Sequence, residues 1–404
     1  MLEVVVSSIS PHSLQSKTSS HWGLYLSIIL IGANLRAPIT SLGPVLPDIQ
    51  QSLHLSGFGS GVLNALPLFI FALLSLIAPR LGKRYGLERV LGYAIVAILL
   101  GTLVRSINVS GAIWLGTILL SAGIAFGNVL LPGIVKREFH DKAASLTAFY
   151  AAAMAAVAGL ATGLAVPIAL LPGADWKWSI GSWAILTLIT LISWLPHWRR
   201  GQSRASSSLP VKATTSPWRH SIGWQVSLFF AMHSFVFYSI VDWYASYAAS
   251  EGFQLKTAGI HLLLYQLVAI STNLGSAAII GRSHDQKALG LVCGVLLLIG
   301  SVGLLYMPQL SVFWLISAGL GAGVAMVTSL SLLGLRTHDH HQAAELSGMA
   351  QFIGYIGAAA GPLLIGSLHD MTGGWTLSMA LLSISSALVI VFATLAGRRR
   401  LIGD

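Results

Sequence analysis

Charge is what this sequence has least of. Only 9% of its 404 residues are Asp, Glu, Lys or Arg, against about 25% in a typical soluble domain. A water-soluble fold of this length needs far more charge to cover its surface. A soluble enzyme and a nucleic-acid-binding domain are thereby excluded, in spite of a formal net charge of +10. Cysteine is almost missing. Cys293 stands alone, which rules out an internal disulfide and a thiolate metal cluster. The chain contains no Walker loop, no HExxH and no GxSxG, so ATP hydrolysis and the commoner hydrolase chemistries are excluded. No cofactor, no metal and no enzymatic activity are expected. What abounds is apolar. A hydrophobic share of 55% is incompatible with disorder, and a polytopic membrane protein remains.

A membrane helix needs about 20 predominantly apolar residues. Twelve such stretches are predicted, at 22–46, 57–79, 88–106, 111–134, 143–171, 176–196, 221–248, 257–280, 287–307, 310–333, 343–368 and 374–397. The runs are continuous rather than alternating, which marks helices and not barrel strands. Residues 1–20 do not read as a classical signal peptide: the run Leu2–Val6 is short and Glu3 replaces the expected basic start. They read as a cytoplasmic tail.

Charge settles the orientation. Arg80, Lys83, Arg84 and Arg89 lie between spans 2 and 3. Lys136, Arg137 and Lys142 follow span 4, and five basic residues from Arg199 to Arg219 fill the central loop. With Lys17, Arg282, Lys287, Arg336 and Arg398–Arg400 they put 19 cations on one side. Arg105, Lys177 and Lys256 lie on the other, and Arg36 stands inside a span. The positive-inside rule places both termini and the central loop in the cytoplasm. The basic excess thus tracks topology and needs no nucleic-acid partner.

The longest connection, rich in Ser and Arg, divides the chain. The predicted organisation is a tail (1–21), an N-terminal six-helix bundle (22–196), a cytoplasmic linker (197–220), a C-terminal six-helix bundle (221–397) and a second tail (398–404). A faint repeat at an offset of about 200 residues relates Ala143-Ala144-Ser145-Leu146 to Ala343-Ala344-Glu345-Leu346, and Pro167 and Trp176 to Pro362 and Trp375. Weak similarity between halves is the trace of a duplicated transporter.

Several segments carry a resemblance: NLRAPITSLGPVLP in span 1, APRLGKRYGLERVL after span 2, GNVLLPGIVKREF at the end of span 4, WQVSLFFAMHSFVFYSIVDWY in span 7 and SGMAQFIGYIGAAAGPLLIGSLHDMTGGW around span 11. The chain resembles the major facilitator superfamily, and within it the cyanate permease and nitroimidazole transporter family. The resemblance implies an all-α integral membrane protein of the major facilitator fold, with twelve transmembrane helices in two pseudo-symmetric bundles and a substrate cavity between them. It also implies a monomer driven by the proton gradient. The superfamily's gating loop usually carries an Asp ahead of a basic residue and a Gly. Here Lys83, Arg84, Gly86 and Arg89 occupy the loop, without that Asp. Asp242 likewise replaces a small or apolar residue.

Two charges fall well inside apolar spans, Arg36 and Asp242. Such residues face a cavity or a partner. A guanidinium in a low-dielectric cavity attracts a small anion and grips it bidentately. Arg36 is therefore the first candidate for substrate contact, and a structural arginine satisfied by carbonyls or by Asp242 is the alternative. Asp242 is the proton-coupling candidate, alone or through a salt bridge to Arg36. At 100° per residue Tyr238 shares its face. Asn128, Gln266, Gln351 and Tyr355 complete the candidate lining, with amides suited to a small polar solute. Asn34 points away from Arg36 and reads as an interhelical hydrogen bonder. His233 reads as a packing histidine, and the run His338–Gln342 as a solvated loop.

The expected function is secondary active transport of a small anion or small polar heterocycle by alternating access, coupled to protons. Its partners are a small-molecule substrate, the proton and the lipid bilayer. The alternatives are a proton-driven efflux pump for neutral drug-like compounds such as nitroimidazoles, and a membrane receptor that transports nothing.

Overall fold

The computed structural model describes residues 11–55, 57–107, 109–205, 215–280 and 282–404. The expected tail residues 1–10 and the linker residues 206–214 lie outside them. Twelve long helices run through the described residues: α1 (Pro11–Asn34), α2 (Gly57–Ser75), α3 (Leu87–Arg105), α4 (Ser110–Glu138), α5 (Ala143–Ala169), α6 (Trp183–Ala205), α7 (Ser221–Ser250), α8 (Leu255–Ile280), α9 (Lys287–Tyr306), α10 (Ser311–Leu335), α11 (His340–Thr372) and α12 (Thr376–Ala396). Eleven spans are long and apolar enough to cross a bilayer by themselves, and a bent pair supplies the twelfth. In lipid every backbone polar group needs an internal partner, so apolar runs of this length fold as helices.

Helix α1 begins at Pro11, ahead of the first apolar span, which stands at Trp22–Val45. Two expectations need correction. The first span is not continuous: it breaks after Asn34 and resumes as the short helix Ala37–Thr40. The second bends by 51° between α2 and a separate helix, Ala78–Tyr85. Prolines explain both, because each lacks an N–H and its ring clashes with the carbonyl four residues earlier. Pro38 and Pro79 each sit in the first turn of the new helix, where the missing donor costs nothing.

The packing repeats itself between the two halves of the chain. In the first half α1 packs on α5 and α6, α2 on α4, and α3 on α4 and α6. In the second, α7 packs on α11 and α12, α8 on α10, and α9 on α10 and α12. Adding six to each helix of the first set gives the second. Contacts between the bundles obey the same rule: α11 meets α2 and α4, while α5 meets α8 and α10. The bundle exteriors expose large apolar side chains such as Phe69, Ile185 and Leu363. In water such patches would aggregate, whereas in a bilayer they face the solvent that suits them.

Buried polar groups stitch the helices together. The Asn34 amide donates to Thr190 Oγ1 at 2.6 Å, and Thr187 Oγ1 donates to Asn34 Oδ1 at 2.6 Å. This ties α1 to α6 as expected. His233 is buried between Phe229 and Phe230, 3.2 Å from Ser329 Oγ. One end of the molecule gathers the linker's exit, the α10–α11 loop and the C-terminal tail. There Arg336 donates to Gln286 Oε1 and to the Ala396 and Gly397 carbonyls, and Ile402 N–H donates to the Arg336 carbonyl. Burial lowers the Arg336 pKa to about 10, partly offset by Asp285, so the guanidinium stays charged at neutral pH. This is the basic end of the molecule.

Candidate functional site

The break in the first span creates the site. Pro38 cannot continue α1, so Arg36 takes a non-helical backbone (φ −130°, ψ −41°) and caps the helix that follows. Arg36 Nη1 donates to the Tyr238 hydroxyl on α7 at 3.1 Å. The Tyr355 hydroxyl lies within electrostatic range of the same guanidinium. On its far side Asn128 Nδ2 donates to Tyr355 at 3.1 Å, and the Phe71 ring lies 5.0 Å from the Tyr355 ring. Each of these pairs joins one bundle to the other. Arg36, Phe71 and Asn128 come from the first half, Tyr238 and Tyr355 from the second.

Four predicted site residues, Arg36, Asn128, Tyr238 and Tyr355, thus meet. Gln351 lies one turn before Tyr355 on α11 and is buried. Gln266 is half-buried on α8 and, among the described residues, forms no hydrogen bond with this cluster. Asp242 lies one turn beyond Tyr238 and is exposed. Among the described residues it forms no ion pair with Arg36, whose guanidinium is engaged by Tyr238 instead. The two charges do not meet: Arg36 engages Tyr238, and Asp242 stands one turn further along α7.

The gating residues sit at the basic end, away from this cluster. Lys83 and Arg84 are exposed, and Arg84 lies over the Tyr85 ring at 5.2 Å. Gly86 joins the two helices at φ +91°, a conformation that favours glycine. Arg89 Nε is buried without a hydrogen-bond partner. The ion pair of this region is one that sequence reasoning missed: Glu88 at the start of α3 with Arg137 at the end of α4, Arg137 also reaching Glu138 at 2.8 Å. Its pseudo-symmetric counterpart is the Arg336–Gln286 hydrogen bond between α10 and the start of α9. The N-terminus of α11 closes over this end. The Cβ that Gly133 lacks would lie 2.9 Å from the His340 carbonyl, and that of Gly348 2.5 Å from the Ser75 carbonyl. Asp339 caps α11 by accepting from the His341 and Gln342 amides, and His338 lies 3.4 Å from Asp404.

Arg105 was missed as well. Counted by sequence among outward loop cations, it is buried, with 1% of its surface exposed. It bonds to the Pro38 carbonyl and lies 3.3 Å from Ser41 Oγ. It ends an apolar run, where a loop residue and an inward-turned arginine look alike.

A family model described as Major Facilitator Superfamily matches residues 24–362. The chain belongs to the major facilitator superfamily. It is a multi-pass membrane protein and a secondary transporter rather than an enzyme. Among superfamily members it is 37% identical to an uncharacterized transporter, YycB, of Bacillus subtilis, over 96% of both chains. It is 36% identical to the 2-nitroimidazole transporter of Escherichia coli, over 93% of this chain and 95% of that one. To the E. coli cyanate transport protein CynX it is 27% identical, over 88% and 92%. The solved structure of the proton:xylose symporter XylE superposes with a TM-score of 0.77 at 12% identity, covering 96% of this chain and 98% of that one. At that identity the likeness concerns the fold.

Proposed function

We propose that this transporter carries a small anion or a small planar heterocycle bearing a two-oxygen acceptor, bound at Arg36. The observation that carries the reading is a guanidinium at the bundle interface whose hydrogen-bond partner is a neutral phenol, Tyr238, rather than a carboxylate. Such a cation keeps its charge for a ligand. The guanidinium fork matches a carboxylate or a nitro group bidentately, and the rings of Tyr238, Tyr355 and Phe71 offer faces for a planar solute. The names of two relatives, a cyanate transport protein and a 2-nitroimidazole transporter, support the same pair of chemistries.

Both tyrosines come from the bundle opposite Arg36 and Asn128. A ligand that replaces the Tyr238 hydroxyl on Arg36 exchanges a contact between bundles for one with itself. Binding is thereby linked to their relative movement, as alternating access requires. Asp242, exposed one turn from Tyr238, is the proton carrier of this scheme. Both termini lie in the cytoplasm of a bacterial inner membrane, on the positive-inside count. Residues 22–196 and 221–397 act as the two moving bundles of a monomer. The test is counterflow in proteoliposomes with cyanate and with 2-nitroimidazole. Arg36→Ala is expected to abolish exchange of the transported compound. Exchange at the wild-type rate would remove Arg36 from the site and favour efflux of neutral compounds.

A further inference from the structure

The Pro38 break solves one problem and creates another. In an intact helix the Leu42 N–H would bond to the Pro38 carbonyl, but here it bonds to the Ile39 carbonyl. A buried carbonyl left without a donor is costly. The Pro38 carbonyl is satisfied from two sides. Ser41 Oγ donates to it at 3.2 Å, and the Arg105 guanidinium, arriving from the end of α3, donates to both the carbonyl and Ser41 Oγ. Arg105 is buried and has no carboxylate partner among the described residues. Its own backbone is pinned in turn, since the Cβ that Gly116 of α4 lacks would lie 2.4 Å from the Arg105 nitrogen. A fixed element thus presents a cation to a carbonyl that the broken turn deprives of its helical donor.

Burying an arginine without a counter-charge costs several kcal/mol even after relaxation. An apolar residue would fill the same volume without that cost. What the guanidinium supplies is a definite shape for the turn two residues beyond Arg36. We infer that Arg105 is the positioning residue of the substrate site: by clamping Pro38 and Ser41 it holds the broken turn in the form that aims Arg36 at Tyr238 and the ligand. The inference rests on the proposed role of Arg36 and deepens it.

The test is a double-mutant cycle on ligand affinity, read by titration calorimetry on purified full-length protein with cyanate and with 2-nitroimidazole. The variants are Arg36→Ala, Arg105→Gln, their combination and Ser41→Ala. Losing a charge-assisted hydrogen bond that orders the turn is expected to weaken Kd on the order of tenfold in Arg105→Gln, with a smaller effect in Ser41→Ala. In the Arg36→Ala background Arg105→Gln should add less than twofold, since there is no guanidinium left to position. Arg36→Lys replaces Arg36→Ala in the cycle if binding to the alanine variant is undetectable. If Arg105→Gln does not fold, Ser41→Ala carries the cycle. Fully additive effects, or a Kd in Arg105→Gln within twofold of wild type, would overturn the inference. Wild-type affinity in Arg36→Ala would instead overturn the proposed function beneath it.

Discussion

At the basic end the two bundles touch through glycine, and this makes the closed state fragile in a calculable way. A Cβ at Gly348 of α11 would lie 2.5 Å from the Ser75 carbonyl and 2.8 Å from Pro79 Cγ. Both neighbours are backbone or ring atoms that cannot swing aside. Overpacking of this kind costs about 1–3 kcal/mol, here charged only to the state in which α11 lies against α2. Gly348→Ala is therefore expected to shift the population toward a form open at the basic end by roughly 5- to 150-fold. The assay uses Ala344→Cys in a Cys293→Ser background. Ala344 is buried and lies 3.4 Å from the Cβ position of Gly133, so its thiol is shielded while the end is closed. Adding Gly348→Ala should raise its labelling rate by a hydrophilic maleimide by at least fivefold. Gly334→Ala is the control, because no atom lies within 4 Å of its Cβ position, and labelling should not change. An unchanged rate in folded Gly348→Ala protein would refute the reasoning.

Other outcomes follow from the same geometry. Tyr355→Phe removes the acceptor of Asn128 Nδ2 and should raise the apparent KM several-fold, with protein yield unchanged, in initial-rate uptake. Asp242→Asn should lose accumulation driven by a pH gradient while keeping counterflow exchange; full gradient-driven accumulation would exclude Asp242 as the proton carrier. Asn34→Leu removes the two bonds that join α1 to Thr187 and Thr190 and should cost about 1–2 kcal/mol, seen as a lower thermal midpoint in detergent with ligand affinity nearly intact.

The helices were legible because lipid leaves an apolar run of 20 residues one way to satisfy its backbone. Their breaks were less so. Pro38 and Pro79 stand in plain view, but Pro67, Pro132 and Pro362 lie inside unbroken helices, so proline alone does not say where a span divides. The family resemblance and the offset near 200 pointed to two related bundles, and the packing pattern repeats on addition of six. Within one helix, angular arithmetic marked Asn34 as an interhelical hydrogen bonder, and it bonds to α6. Such arithmetic presumes an unbroken turn, so it could not choose between Tyr238 and Asp242 as the partner of Arg36. The meeting of Asn128 with Tyr355, and of Glu88 with Arg137, depends on helix order in space, which no spacing along the chain encodes. Arg105 was misplaced for a related reason: a cation at the end of an apolar run turns outward or inward according to what awaits it. Here a freed carbonyl on another span awaited it.

Ligand-induced thermal stabilisation of the wild type and Arg36→Ala, across cyanate, short carboxylates and 2-nitroimidazole, tests the central claim most directly. Binding to the folded state alone raises stability by about 2.7 kcal/mol at a ligand concentration one hundred times Kd. The account predicts that at least one of these compounds raises the midpoint of the wild type and leaves that of Arg36→Ala where it was. A shift of equal size in both proteins would contradict it and make Arg36 a structural residue.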